Sequence, residues 1–361
     1  MKVAVLGSGN GGCAVAFDFA QHGHDVYLYD QPQFPQNISA VAKAGGIRAS
    51  GELKGFARIA GVGHDAECTL KDADIIFVVG PSYSTIPFAE TCKPFIEERQ
   101  MVVVCPGSCG GAIVFKKTLD EELVSQKYII AETSTLPYAV RADGAGNIQV
   151  FNKLKGGLFL AGLPGSCGQK VLDQIKEVYP HMSLARNVMH TFLQNGNPVI
   201  HPAVVIMNAA FTERDKNGFM FYEEGITPAV GRLIKAVDDE RIAIARAIGI
   251  EVIPDPRLGC MQGYQDEENY DHSYNVARGF KGIAAPETLR SRYLIEDVGH
   301  SMIILRALAE MVGIKTPTMD AIIRIASVIL EEELLERADQ ELAHLGLDNI
   351  GIEKFMELVN K

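Results

Sequence analysis

The stretch VAVLGSGNGGCAVAFDFAQHGHDVYLYD, residues 3–30, decides the fold. Gly7, Gly9 and Gly12 form a GxGxxG that follows an apolar, β-branched run directly and opens a helical pattern. Each glycine has its own physical role. Gly7 permits the tight turn, Gly9 lets backbone approach a pyrophosphate, and Gly12 lets helix and strand pack closely. The helix N-terminus behind Ser8, Asn10 and Gly11 then offers free N–H groups and partial positive charge to phosphates. Asp30 closes the second apolar run, 18 residues after Gly12. A carboxylate there accepts hydrogen bonds from ribose hydroxyls and repels a 2′-phosphate. Gln31, Pro32 and Gln33 follow, with no Arg or Lys to hold that phosphate, so NAD is favoured and NADP stays open as the alternative.

Outward from this motif, further strand-like runs are ADIIFVV (73–79), MVVVC (101–105) and YIIAE (128–132), each ending in a turn. Continuous apolar runs of this kind fit strands buried on both faces, hence a parallel sheet with helical crossovers. NIQVFN (147–152) and GLFLAG (157–162) are two more strand candidates, followed by a helix near 166–179 and a short run MSLAR (182–186). The loops Gly80-Pro81-Ser82 and Pro106-Gly107-Ser108 follow strand ends, where open α/β sheets bind ligands. From about 188 the chain reads as helical: PAVVIMNAAF (202–211), VGRLIKAVDDERIAIARAIG (230–249), one or two helices over 286–313, and one long helix over 320–342. The expected fold is α/β: an N-terminal Rossmann doubly wound sheet over 1–187, then an all-α C-terminal domain over 188–361.

Composition narrows the function. A net charge of -11 argues against nucleic acid as a partner and requires a locally basic site for any anionic substrate. No apolar run reaches the ~20 residues of a membrane span. The N-terminus lacks a signal-peptide layout, so a cytoplasmic protein is expected. Seven irregularly spaced cysteines without a CxxC read as reduced thiols.

A bound dinucleotide leaves the protein to supply orientation and a proton. Of nine histidines, His22 and His24 lie in a turn, and His64, His181, His190, His272 and His344 have no evident partner. His300 reads as a packing or solvent residue on the helix of Asp297. His201 differs: Pro198 and Pro202 bracket it at the expected domain junction, where it begins an uncharged helix. A partly buried imidazole there needs a hydrogen-bond partner, and a structural role stands beside a catalytic one. Arg292 and Glu296 are spaced for a surface i,i+4 ion pair, and Asp297 points elsewhere.

Several segments together resemble the opine dehydrogenases, the octopine, nopaline and N-(1-carboxyethyl)-norvaline dehydrogenases. They are VLGSGNGG near the start, AETSTLPYAVR (131–141), NGNPVIHP (195–202), GFMFYEEGITPAV (218–230) and RYLIEDV (292–298), in the expected order over nearly the whole chain. The resemblance implies that His201 and Asp297 form the catalytic pair and that Arg292 lies near them to hold a substrate carboxylate, a role that suits its planar fork. Tyr138 and Arg141 are second-rank candidates for substrate or cofactor contacts, with closing a loop over the sheet as the structural alternative, and Thr227 and Pro228 are expected to shape the pocket. The resemblance further implies reductive condensation of a 2-oxo acid such as pyruvate with the amino group of an amino acid, and a homodimer. The cofactor domain also resembles those of ketopantoate reductases and glycerol-3-phosphate dehydrogenases, but the lysine those enzymes use is missing from 188–211. Two alternatives stay open: a 2-oxo or hydroxy acid dehydrogenase with no amine partner, and a nucleotide-sensing protein without catalysis.

Overall fold

The computed structural model describes residues 1–98, 100–214, 218–348 and 350–361. It divides at 191/192, against an expected border at 187/188. One unit is Met1–Thr191 together with Leu358–Lys361, and the other is Phe192–Glu357.

The first unit is built on strands β1 (Lys2–Leu6), β2 (Asp25–Tyr29), β3 (Gly46–Gly51), β4 (Gly55–Arg58), β5 (Gly61–Gly63) and β6 (Ile75–Val78). It continues with β7 (Met101–Val104), β8 (Ile129–Thr133), β9 (Tyr138–Ala142), β10 (Asn147–Lys153), β11 (Leu158–Leu163) and β12 (Met182–Leu184). Eight of them form one sheet in the order β12-β11-β8-β7-β6-β1-β2-β5. All neighbours are parallel except β11 and β8. This is the expected doubly wound sheet, and Val3, Val5, Ile75, Phe77, Val102 and Val103 are wholly buried in it. The chain order reverses between β1 and β6, which opens the ligand-binding crevice at their carboxyl ends.

A second sheet, β4-β3-β10-β9, was not expected. Its strands β3, β4 and β9 are short and rich in glycine or exposed polar residues, so their alternation is weak. It is tied to the helix Asn10–Gln21, whose Asp18 is 1% exposed. The Asp18 carboxylate accepts from the Tyr138 hydroxyl at 2.6 Å and pairs with Lys153 at 2.7 Å.

The second unit is helical as expected, with two corrections. The helix over 320–342 is broken: it runs Pro317–Leu330 and resumes at Ala338–Leu345. Glu331 takes φ 57, and Glu332 turns back to ion-pair with Arg290 and Arg337. Helix propensity favours continuity through the acidic run, but the helix ends on Glu331 in the left-handed region, and the two ion pairs of Glu332 hold the turn that follows. The helix expected from 202 starts at Asn197 and ends at Met207, so His201 sits inside it.

Candidate functional site

The glycine loop follows β1. Gly7 has φ 108, and a Cβ there would lie 2.1 Å from the Val79 carbonyl oxygen. A Cβ on Gly12 would lie 1.7 Å from the Gly7 oxygen, so helix and turn meet backbone to backbone. On Gly11 a Cβ would press Leu136 at 2.8 Å. Gly9 is different: a Cβ there would meet nothing within 4 Å. Gly9 caps the helix Asn10–Gln21 with no side-chain hydrogen bond and no acid in the first turn. The helix start is left without a side-chain acceptor, as a pyrophosphate site requires.

Asp30 is 7% exposed and gripped by the loop, not an ordinary solvated residue. Its Oδ2 accepts from the Ser8 N–H at 2.7 Å and the Ser8 hydroxyl at 2.6 Å, and its Oδ1 accepts from Gln31 N–H at 2.8 Å. Asn10 Oδ1 accepts from Ala142 N–H at 2.8 Å, joining the helix start to β9. Asn37 Nδ2 donates to the Ser8 carbonyl at 2.8 Å. His64, which the sequence left without a partner, bonds through Nδ1 to the Asp30 carbonyl oxygen at 2.7 Å. Gly80 and Pro81 follow β6 at the mouth of the crevice, where Ser84 folds back on the Pro81 carbonyl. These residues fit a dinucleotide: an uncapped helix end, a glycine-rich loop whose Ser8 and Asn10 side chains are tied to Asp30 and β9, and an acid beside it.

The loop 106–110 after β7 is braced from below by Glu132, which is fully buried. Its carboxylate accepts from Ala112 N–H at 2.8 Å, capping the helix Gly111–Thr118, and from the Thr191 hydroxyl at 2.6 Å. Burial pushes this carboxyl up to about 7, and the two hydrogen bonds only partly oppose that. The folded value lies above the ordinary one, so the protonated form favours folding. That contribution is complete below about pH 4.5 and is lost as pH rises through about 7. Glu132→Gln should therefore gain stability relative to the natural chain as pH rises from 5 to 8, by up to about 3 kcal/mol. Urea unfolding at several pH values checks this, and a pH-independent difference refutes it.

In the second unit, His201 is 6% exposed. Its Nδ1–H donates to Asp297 Oδ2 at 2.8 Å, closing a pair 96 residues apart in sequence. Asp297 is 1% exposed. It opens a π-helical turn, Asp297–Met302, between Arg292–Ile295 and Ile303–Met311. A π turn inserts one extra residue into the helical repeat and changes which side chains face a neighbour. The His201 ring lies 4.1 Å from the Tyr293 ring, with Phe221 and Tyr222 around it. Its Nε2 lies 3.1 Å from the Tyr222 hydroxyl.

The start of this helix is fixed by a buried polar network. Arg241 donates to Asp238 at 2.7 Å, to the Ile253 carbonyl at 2.8 Å and to the Leu193 carbonyl. Asp255 accepts from Tyr274 at 2.5 Å, and burial together with Asp238 raises its carboxyl. Asp255 Oδ1 would lie 2.3 Å from a Cβ on Gly196, which explains the glycine in NGNP.

Arg292 keeps a half-exposed side chain beside this pair, 3.6 Å from Glu296 and above the Tyr293 ring at 6.0 Å. Partial desolvation works against its charge, but Glu296 and Asp297 outweigh it and hold its proton more tightly than usual. The expected surface ion pair is one-sided, because Glu296 is 2% exposed.

The structure corrects Tyr138 and locates Arg141, Thr227 and Pro228. The Tyr138 hydroxyl is buried between Asp18 and Tyr179, so it is not free for a substrate. Arg141 lies exposed on β9, and the alternation that buries Tyr138 and Val140 turns it to the solvent face opposite Gln149. Thr227 and Pro228 start the helix Pro228–Ala247, with Thr227 as its cap. Tyr222 and Glu132 were missed, although both lie inside segments that carry the family resemblance.

Among the described residues there is no cluster of His, Cys, Asp and Glu fit for a metal, and no helix long and apolar enough to cross a membrane.

Comparison with known proteins agrees with this geometry. Residues 184–330 match the NAD/NADP octopine/nopaline dehydrogenase alpha-helical domain, and residues 3–150 match the ketopantoate reductase model. The opine dehydrogenase of Arthrobacter sp. (strain 1C) is 35% identical over 364 residues, covering 98% of each chain. The octopine dehydrogenase of Pecten maximus is 20% identical over 75% of this chain and 73% of its own. A solved octopine dehydrogenase with NADH and L-arginine superposes with TM-score 0.80 at 18% identity, covering 100% of this chain and 98% of its own. The dinucleotide loop, the helical unit and the full-length similarity converge: the chain belongs to the opine dehydrogenase family, NAD(P)-dependent oxidoreductases acting on CH–NH donors.

Proposed function

We propose that this chain joins a 2-oxo acid to the amino group of an amino acid and reduces the product to a secondary amine dicarboxylate. The observation that carries this reading is the buried His201–Asp297 pair. When bound, the reduced dinucleotide supplies the hydride. His201 is the acid–base group, since an imidazole nitrogen can both give and take a proton. Asp297 holds the proton on Nδ1, which leaves Nε2 as the working nitrogen, and it stabilises the ring when charged. Arg292 is the substrate's anchor, with a half-exposed guanidinium to take a carboxylate at two points. The family relatives support the substrate classes: solved octopine dehydrogenases carry NADH with L-arginine and NADH with pyruvate.

NAD is preferred over NADP in this reading. The buried Asp30 carboxylate repels a 2′-phosphate, and the three residues after it bring no cation. The free cysteines fit a reducing, cytoplasmic setting. A second copy of the chain is the partner we assign to the outer face of the helix Pro317–Leu330, where Ile325 and Val328 are 45% and 65% exposed.

NADH oxidation tests the chemistry. With pyruvate alone it should be negligible, and adding the right amino acid should start turnover. A matrix of 2-oxo acids against amino acids names the pair. Turnover that ignores the amine refutes the condensation and favours a plain 2-oxo acid reductase.

A further inference from the structure

The acid–base reading leaves a geometric problem at His201. Both ring nitrogens are occupied, Nδ1 by Asp297 at 2.8 Å and Nε2 by the Tyr222 hydroxyl at 3.1 Å. The ring is 6% exposed and flanked by Tyr293 and Phe221, neither of which carries a polar atom bonded to it. The working nitrogen therefore faces a phenol. That phenol is held firmly: the Tyr222 ring stacks on Phe280 at 4.0 Å and 10°, Phe280 stacks on Tyr264 at 4.5 Å and 14°, and Phe221 abuts Tyr222 edge-on at 5.0 Å. A hydroxyl accepts and donates at once, so it passes a proton without holding a charge.

We infer that Tyr222 is a further catalytic residue, the relay through which His201 exchanges its proton with the substrate oxygen. The inference rests on the acid–base reading of His201. In the dehydration step, the amine nitrogen lone pair of the carbinolamine forms the C=N bond and the C–O bond breaks. The departing oxygen takes the Tyr222 hydroxyl proton and leaves as water. Tyr222 regains a proton from His201 Nε2–H in the same step. The imidazolium becomes neutral as the substrate becomes an iminium, so charge is conserved and tyrosine stays a neutral phenol throughout. Burial favours that neutral form, since it pushes the Tyr222 phenol well above its ordinary range.

The test uses the full-length enzyme with NADH, pyruvate and the best amine from the substrate matrix. Tyr222→Phe should lower kcat/KM for the 2-oxo acid by about 100-fold. NADH affinity should not change. His201→Ala/Tyr222→Phe should be no slower than His201→Ala alone, because both remove one path. In H2O/D2O mixtures, kcat/KM of the natural enzyme should bow downward with deuterium content, as two protons in flight require. That measurement needs no variant, so it decides the matter even if Tyr222→Phe folds poorly. A Tyr222→Phe enzyme within twofold of the natural one, or faster with a lower KM, makes the hydroxyl a resting-state placeholder and overturns the relay. A straight proton inventory, or losses that multiply in the double variant, also overturns it. If His201→Ala keeps its activity, it is the acid–base reading that fails.

Discussion

Replacing His201 by Ala lowers kcat by about 100-fold or more and leaves NADH affinity within about twofold. The size follows from what is removed. His201 holds the nitrogen assigned to proton transfer, and Asp297 fixes which nitrogen carries the proton. The specificity follows from where it is removed. The glycine loop, Asp30 and the Gly80-Pro81 turn all belong to the unit Met1–Thr191, whereas His201 and Asp297 belong to Phe192–Glu357. Truncation also strands Asp297, a 1% exposed carboxylate, without its partner. An uncompensated buried charge costs about 3–5 kcal/mol, so some loss of Tm accompanies the substitution. His201→Asn separates the two effects, because its amide still donates to Asp297 but carries no proton to substrate. The asparagine variant should recover stability and stay slow. Recovery of kcat with stability would make His201 a packing residue.

Gly9→Val gives the second large effect, with the opposite signature. A Cβ at Gly9 meets no protein atom within 4 Å, and the residue sits at φ -70, ψ -171, which a β-branched residue adopts easily. The fold should therefore tolerate valine, with Tm unchanged within about two degrees. The new methyl groups occupy the space where the pyrophosphate meets the helix N-terminus, and NADH affinity should fall by about 100-fold or more. Gly12→Val is the matched control. Its Cβ would lie 1.7 Å from the Gly7 oxygen, so it should unfold the unit as well as abolish binding. Isothermal titration with NADH beside thermal melts reads both. Equal affinity for natural and Gly9→Val protein would move the phosphate site elsewhere.

The parts of the molecule differed in how openly the sequence displayed them. β1, β6, β7 and β8 stood out as nearly continuous buried runs, and β2 by its place between the glycine motif and Asp30. β3 and β4 hid behind glycines and exposed polar residues, and β9 lay inside a segment that read as a loop. The His201–Asp297 pair was suggested by family resemblance. Residue chemistry alone marked His201 as a buried imidazole lacking a partner, and nothing local marked Asp297. The π turn at Asp297–Met302 has no compositional signal, since it reflects how the helix packs and not what its residues prefer. Tyr222 was invisible for a related reason. In GFMFYEEG an aromatic residue reads as core, and only the structure shows its hydroxyl on His201 Nε2. The break after Leu330 was unreadable because it is held by Arg290, a cation 42 residues upstream of Glu332, as well as by the nearby Arg337.

Mass spectrometry of the product formed from NADH deuterated at the transferable C4 position tests the central claim most directly. Incubated with pyruvate and an amino acid, the enzyme should yield a secondary amine whose new C–H carries the deuterium, one mass unit above the unlabelled product. Deuterium found in lactate, with the amino acid recovered unchanged, would contradict reductive condensation outright.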